Sequence, residues 1–212
     1  METLEQIKVR AESVLKGIQL TIVPNGNPAN PSSLLVDPDH AVAFAQFLKE
    51  DAQLRMDYIS NVTGVDWPDV IEKEKVRVKK EFRGQQIEVD EIIEKTKSGF
   101  LEVVYHFYSM SLKQGPIVVR LRTKNRIDQT DLPSLTPIFR GAEFQEREVY
   151  DLYGVRFINH PDLRRILMWD EFQDYPMRKD YKEPDDYEHE PTPHDQVLLK
   201  ARRHYPPEEA HG

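Results

Sequence analysis

Between Pro137 and Gly154 the chain has room for one short helix, and that helix decides how much of the rest must be arranged. Pro137 bars an earlier helical start, and Gly154 is a natural left-handed residue after a last turn. A helix is therefore expected over about residues 142 to 153. At ~100° per residue Val149, Tyr150, Leu152 and Tyr153 share one arc, with Glu146 between the two tyrosines. One carboxylate thus falls on the apolar face. On the opposite arc Arg147 stands one turn from Glu143 and one turn from Asp151, while Glu148 lies on the row joining Phe144 to Leu152. The turn His160-Pro161-Asp162 follows, and then the pair Arg164 and Arg165.

The rest of the 212-residue chain bounds what such a helix can serve. Its length suits one sizeable core plus any tail, and 39% hydrophobic against 31% charged residues suits a modest core with polar extensions. A net charge of −8, with bases interspersed among acids, argues against nucleic acid as the main partner. Cysteine is absent, which excludes disulfides, thiol catalysis and thiolate-held iron–sulfur clusters within this chain. The acidic start Met1-Glu-Thr-Leu-Glu5 does not read as a signal or transit peptide, and no apolar run is long enough to span a bilayer. The expectation is a soluble protein of a reducing compartment.

Taken in order, residues 3 to 17 place Leu4, Ile7, Ala11, Val14 and Leu15 on one helical face, ended by Gly17. Ile18 to Val23 alternates as a strand. Asp37 and Pro38 then announce a second helix whose apolar stripe is Val42, Phe44, Ala45, Phe47 and Leu48. Tyr58 to Trp67 is β-rich. In the charged section Val70 to Gly99, Lys75 to Phe82 alternates, and Val89 to Lys97 reads as a short helix or loop. A solvated face is the favoured reading of this insertion, a partner-binding one the lesser. Phe100 to Tyr108 and Pro116 to Thr123 read as neighbouring antiparallel strands joined around Gly115, with His106 a core or half-buried residue. Residues 124 to 137 read as a loop. From Lys182 to Gly212 prolines and charges predominate and only Val197, Leu198 and Leu199 cluster, so an extended tail is expected. The fold class is α+β: a mainly antiparallel sheet flanked by the two N-terminal helices. Residues 1–181 form one domain carrying the insertion at about 70–98, and 182–212 the tail.

Chemistry finds little footing in these patterns. Nine scattered glycines form neither a dinucleotide nor a phosphate loop, and no histidine pair has helical zinc spacing. Glu146 and Glu148 project about 200° apart, so they do not converge on one substrate bond. Glu148 and Asp151 lie closer and leave a stand-alone acid/base hydrolase as an alternative, although Arg147 and Glu143 compete for Asp151. Spacing alone favours internal pairing, with Arg147 on Asp151 and Glu146 turned inward, over contact with another protein.

Longer stretches carry a resemblance. Glu146-Arg-Glu148, Asp151-Leu-Tyr-Gly154, Phe157, His160-Pro-Asp-Leu-Arg-Arg-Ile-Leu167 and Pro176-Met-Arg-Lys-Asp-Tyr181 resemble the signature of the 30 kDa subunit family of NADH:quinone oxidoreductase, respiratory complex I. Thr63-Gly-Val-Asp-Trp-Pro68, Glu102-Val-Val-Tyr-His106 and Pro133-Ser-Leu-Thr136 extend it upstream, so that it covers most of residues 40 to 181. Phe144 stands where the family more often has tryptophan, and the section at 70 to 98 is longer than the family pattern.

The resemblance implies a cofactor-free scaffold in the peripheral arm of a complex that uses FMN, iron–sulfur clusters, NADH and quinone. No catalytic, cofactor-binding or metal residue is expected in this chain. Its partners would be the 49 kDa subunit, near the quinone site, and other peripheral-arm subunits. Membrane association would come only through the complex, on the cytoplasmic face of a bacterial inner membrane or the matrix side of an organelle. Glu146, Arg147, Glu148, Asp151 and Gly154 would hold the helix in its domain and against neighbours. His160, Arg164 and Arg165 would bridge to a partner's carboxylates or carbonyls, with Asp162 part of the same interface signature. A homologous scaffold in a hydrogenase-type or ferredoxin-linked membrane complex is the other implied reading.

Overall fold

A helix begins where the chain first caps itself. The Thr3 hydroxyl accepts from the Gln6 backbone N–H while the Gln6 side chain accepts from the Thr3 N–H, and helix α1 (Leu4–Val14) follows. The computed structural model describes residues 2–27, 29–82 and 85–182, with side chains outside 78–93. Ile7 and Ala11 of α1 are buried, as the spacing predicted, and Leu4 and Leu15 pack against the core. Val14 does not join them; it is exposed in the final turn. Strands β1 (Thr21–Val23) and β2 (Ser33–Leu35) form an antiparallel pair.

Asp37 caps a single 3-10 turn, Pro38–His40, which runs into α2 (Ala41–Glu50). Phe44, Ala45, Phe47 and Leu48 are buried, but Val42 turns to solvent because the stripe is narrower than the sequence suggests. Then come β3 (Tyr58–Trp67), β4 (Val70–Phe82), β5 (Gln85–Lys97), β6 (Phe100–Ser109) and β7 (Gln114–Arg122). The segment Val89–Lys97 is therefore strand and not a short helix or loop: β5 pairs along the whole of β4 in an antiparallel register from Val70↔Lys97 to Phe82↔Gln85. Within the expected loop 124–137 lies β8 (Asp131–Pro133), which pairs in parallel with β9 (Arg156–Ile158) beyond helix α3 (Glu143–Tyr153).

The main sheet has the order β1-β2-β7-β6-β3, with only β2 and β7 parallel. The fold is α+β with a mostly antiparallel sheet. One sheet face supplies Leu101, Val103, Tyr105 and Phe107 from β6 and Ile117, Val119 and Leu121 from β7 to a single core shared with all three helices. A bulge between Ile59 and Asn61 resets the parity of β3, so that Ile59 and Val62 point to that same face. The edge strand β3 is guarded by α3: the Gln145 side chain accepts from the Val62 N–H, and the Tyr153 ring lies where a Cβ on Gly64 would stand. The chain through Tyr181 forms one compact unit. The tail expected from Lys182 lies, past that residue, outside the described residues.

Candidate functional site

Helix α3 is built from good helix formers and enters through a 3-10 turn at Arg140–Ala142. It stops at Gly154, whose φ of +79° is left-handed; a Cβ there would also meet the Tyr175 ring at 2.6 Å. The last carbonyls of the helix do not go bare. Leu152 accepts from the Met177 N–H at 3.2 Å and Tyr153 from Arg178 Nε at 2.7 Å.

Glu146, predicted on the apolar face, is fully buried and closed on every side. Its Oε1 accepts from the Tyr105 hydroxyl at 3.0 Å and the Leu135 N–H at 2.9 Å; its Oε2 accepts from Ser134 at 2.5 Å and Thr136 at 3.1 Å. Burial pushes this carboxyl above its ordinary value, against the hydrogen bonds from Ser134, Leu135 and Tyr105 and the nearby His160. Burial also holds the Tyr105 phenol well above its usual range, with Glu146 adding to the effect. The result ties α3 to β6 and to the turn 134–136.

The other charged groups of the helix fasten the segment that follows it. His160 places Nε2 at 3.0 Å from the Glu143 carbonyl oxygen, and its Nδ1 accepts from the Asp162 N–H at 3.1 Å. Arg147, only 5% exposed, donates from Nε to the Arg164 carbonyl at 3.2 Å and from Nη2 to the Arg165 carbonyl at 3.4 Å, and lies 3.5 Å from Asp162. Asp151 accepts at Oδ2 from three successive N–H groups, Ile166, Leu167 and Met168, at 2.7–3.0 Å. Its Oδ1 takes Arg165 Nη1 at 2.6 Å. Burial works to raise the Asp151 carboxyl, but the donors of Met168, Leu167, Arg165 and Ile166 outweigh it and hold the group below its ordinary value.

This corrects the helix-surface pairing expected from spacing. Arg147 serves neither Glu143 nor Asp151; Asp151 is filled by Arg165 and a backbone turn, and the Glu143 carboxylate lies 3.9 Å from Arg140. The carbonyls of 164 and 165 offer Arg147 fixed acceptors inside the fold, which an i,i+4 surface pair does not match. His160 and Arg165 likewise find acceptors within the chain. Arg164 is exposed and reaches Asp162 at 3.0 Å, and Glu148 is exposed. The segment so anchored presents Leu167, Trp169 and Met177 to solvent, each about half exposed, with Ile166 beside them.

Two buried carboxylates were not singled out by sequence reasoning. Asp66 on β3 takes both forks of Arg126 at 2.7 and 2.8 Å and the Lys179 N–H at 2.8 Å, which fastens the end of the described chain to the sheet. Glu102 on β6, with no solvent exposure, accepts from Arg120, Arg122 and the Trp67 indole. The signal was available: each is the one acid in a strand rich in apolar and aromatic residues. Among the described residues no group of three or more His, Cys, Asp or Glu could hold a metal ion, and no helix is long and apolar enough to cross a membrane.

Residues 34–187 match the family model of the respiratory-chain NADH dehydrogenase 30 Kd subunit. The chain is 38% identical over 138 residues to the C/D subunit of NADH-quinone oxidoreductase of Phocaeicola vulgatus, covering 65% of this chain and 21% of that protein. It is 35% identical over 148 residues to the C 2 subunit of NADH-quinone oxidoreductase of Rhizobium etli, covering 69% and 62%. The chain thus spans less than two thirds of the length of these curated relatives. A chain of the membrane-bound sulfane sulfur reductase, an archaeal respiratory membrane complex, is similar with a TM-score of 0.57 at 20% identity, over 96% of this chain and 92% of that one, a likeness of fold alone.

Proposed function

Since the chain belongs to the family of the respiratory-chain NADH dehydrogenase 30 Kd subunit, we propose that it is a scaffold of the peripheral arm of complex I and performs no chemistry itself. One observation carries this reading: the acids and bases of α3 are spent on holding backbone. Glu146 and Asp151 are surrounded by donors, and Arg147 by carbonyls. An acid/base pair of Glu148 and Asp151 is disfavoured on the same ground, because Asp151 accepts from four donors and has no lone pair directed at a substrate. What the network displays is an apolar ridge of Ile166, Leu167 and Trp169 on irregular backbone, with Arg164 at its margin. Such a ridge suits a protein interface, and the 49 kDa subunit is the partner we assign to it.

On this reading FMN, the iron–sulfur clusters, NADH and quinone are bound by other subunits. The chain would reach the membrane only through the complex, on the cytoplasmic face in a bacterium. The segment 182–212 is assigned to contact with a partner. Affinity purification of the tagged chain from solubilised membranes tests the whole. Stoichiometric recovery with the 49 kDa subunit and NADH:quinone turnover is expected. Recovery of the chain alone, or a flavin or NADH oxidation in the isolated chain, would overturn it.

A further inference from the structure

The β4–β5 ribbon is a separate two-stranded sheet of 13 residues per strand. Of its described side chains all but Val76 are exposed. Isolated ribbons of this kind are marginal in water unless another surface packs on them. Its two faces differ. Register puts Lys73 opposite Glu94, Arg77 opposite Asp90 and Lys79 opposite Glu88 in one set of positions, and the first of these pairs is a 3.0 Å ion pair. The alternate set holds Val70 and Val76 and, further along the backbone, the positions of Val78, Phe82, Ile87, Val89 and Ile93.

That second side does not end at the root of the ribbon. Its members Val70, Glu72 and Lys97 line a groove of about 340 Å³ together with Trp67, Phe100 and Arg122. Phe100 and Arg122 belong to the sheet face turned away from the helices, and the Arg122 guanidinium lies 4.8 Å from the Phe100 ring. Trp67 is 42% exposed there and Val70 50%. The Val70 side of the ribbon and the helix-free side of the sheet are therefore one continuous surface. The charges of the groove are matched within the chain: Lys97 lies 3.9 Å from Glu72 and Arg122 pairs with Glu102 at 2.8 Å, which leaves Val70, Trp67 and Phe100 as its apolar offering. Glu102 beneath it is already filled by Trp67, Arg120 and Arg122.

We infer that the ribbon is a docking arm whose Val70 side, continuous with Trp67 and Phe100, takes an apolar surface of a neighbouring subunit. This rests on the chain being a subunit of a complex, and it names a surface distinct from the ridge at 166–169. A second copy of the chain is the weaker occupant. Thirteen residues at ~3.3 Å by two strands at ~4.8 Å give a face of roughly 400 Å², so two ribbons face to face would bury about 800 Å² in all, below the ~1,200 Å² of a stable interface. The adjoining sheet face adds to the area that a larger partner can cover.

The test is photocrosslinking in the assembled complex, with p-benzoylphenylalanine as probe. Val70→p-benzoylphenylalanine and Val76→p-benzoylphenylalanine are expected to crosslink to a different subunit that co-purifies in stoichiometric amount. Lys75→p-benzoylphenylalanine, on the opposite side, is expected to give several-fold less product. Val76→Asp is expected to reduce the incorporated chain about tenfold without moving its own melting temperature, the loss of one interface anchor. Equal yields from both sides, products containing only a second copy, or an incorporated chain that crosslinks to nothing would overturn the inference and leave the scaffold reading standing. A chain that never enters a complex would overturn both.

Discussion

Asp151→Asn tests how the signature works, because it changes one charge and almost no volume. Asp151 is fully buried and serves two sets of donors on opposite oxygens: Arg165 on Oδ1, and the N–H groups of Ile166, Leu167 and Met168 on Oδ2. An amide has one acceptor oxygen. If that oxygen keeps the three N–H groups, its NH₂ faces the Arg165 guanidinium, donor against donor. Hydrogen bonds to a charged group contribute about 1.5–3 kcal/mol each, and an ion pair broken in a buried setting costs about 3–5 kcal/mol. Arg165 retains the carbonyls of Asp151 and Asp174, so the lower end, about 3 kcal/mol, is the working figure. At ~1.4 kcal/mol per tenfold this is about a hundredfold in the opening of the 165–168 segment. Hydrogen exchange at the amides of 166, 167 and 168 should accelerate by that factor at pH 7. The acid dependence follows in sign: the carboxyl is held below its ordinary 3.8, so its contribution is present above about pH 4 and lost as pH falls through the folded value. Wild-type protection should thus fall toward that of the variant in acid. Exchange within twofold of wild type at pH 7, or wild-type protection unmoved between about pH 5 and 2, would refute the reasoning.

Glu146 runs the other way, since burial raises its carboxyl and its contribution fades as pH rises through the folded value. Glu146→Gln, which does not titrate, should therefore gain on wild type in urea denaturation from pH 4 to 8. Glu146→Ala, which strands the Leu135 N–H and the Tyr105 hydroxyl, should cost about 3 kcal/mol at pH 4, a cost that shrinks toward pH 8 because alanine does not titrate either. Gly154→Ala forces a Cβ into a left-handed residue and the Tyr175 ring, and about 2–4 kcal/mol should be lost, read as a lower urea midpoint with an unchanged slope. Arg126→Ala leaves Asp66, which is 3% exposed, without its bidentate cation and should cost about 3–5 kcal/mol; Arg126→Lys should recover only part, because the ammonium does not reproduce the fork.

The elements legible in the sequence are those whose signals are local. Gly154 ends α3 as its position indicated, Asp37 and Pro38 open the second helical segment, and the β-rich stretch Tyr58–Trp67 is a strand from end to end. Charge hid β5: five acids and bases from Val89 to Lys97 masked a strand whose pairing partners lie in β4. The bulge after Ile59 was likewise invisible, because it is set by pairing with β6. At the site, the helical wheel found the inward Glu146 but misassigned Arg147. A wheel knows only neighbours on the same helix, and the acceptors of Arg147 are carbonyls seventeen and eighteen residues on. Periodicity carries no information about such partners; the family resemblance flagged the residues without their connections.

Those connections bear on why so much charge is buried in one short helix. A carboxylate removed from water costs several kcal/mol unless its acceptors are filled, and here both Glu146 and Asp151 are filled chiefly by loop groups: the turn at 134–136, and the segment 165–168. Neither loop has a regular ladder of its own to fix it. The helix replaces that ladder, and the fixed backbone then holds Ile166, Leu167 and Trp169 partly outward, with the Trp169 ring edge-on against Phe172 at 4.7 Å between centroids. A network satisfied on its inner side and an apolar ridge left on its outer side are what the proposed docking of the ridge on a partner would use together.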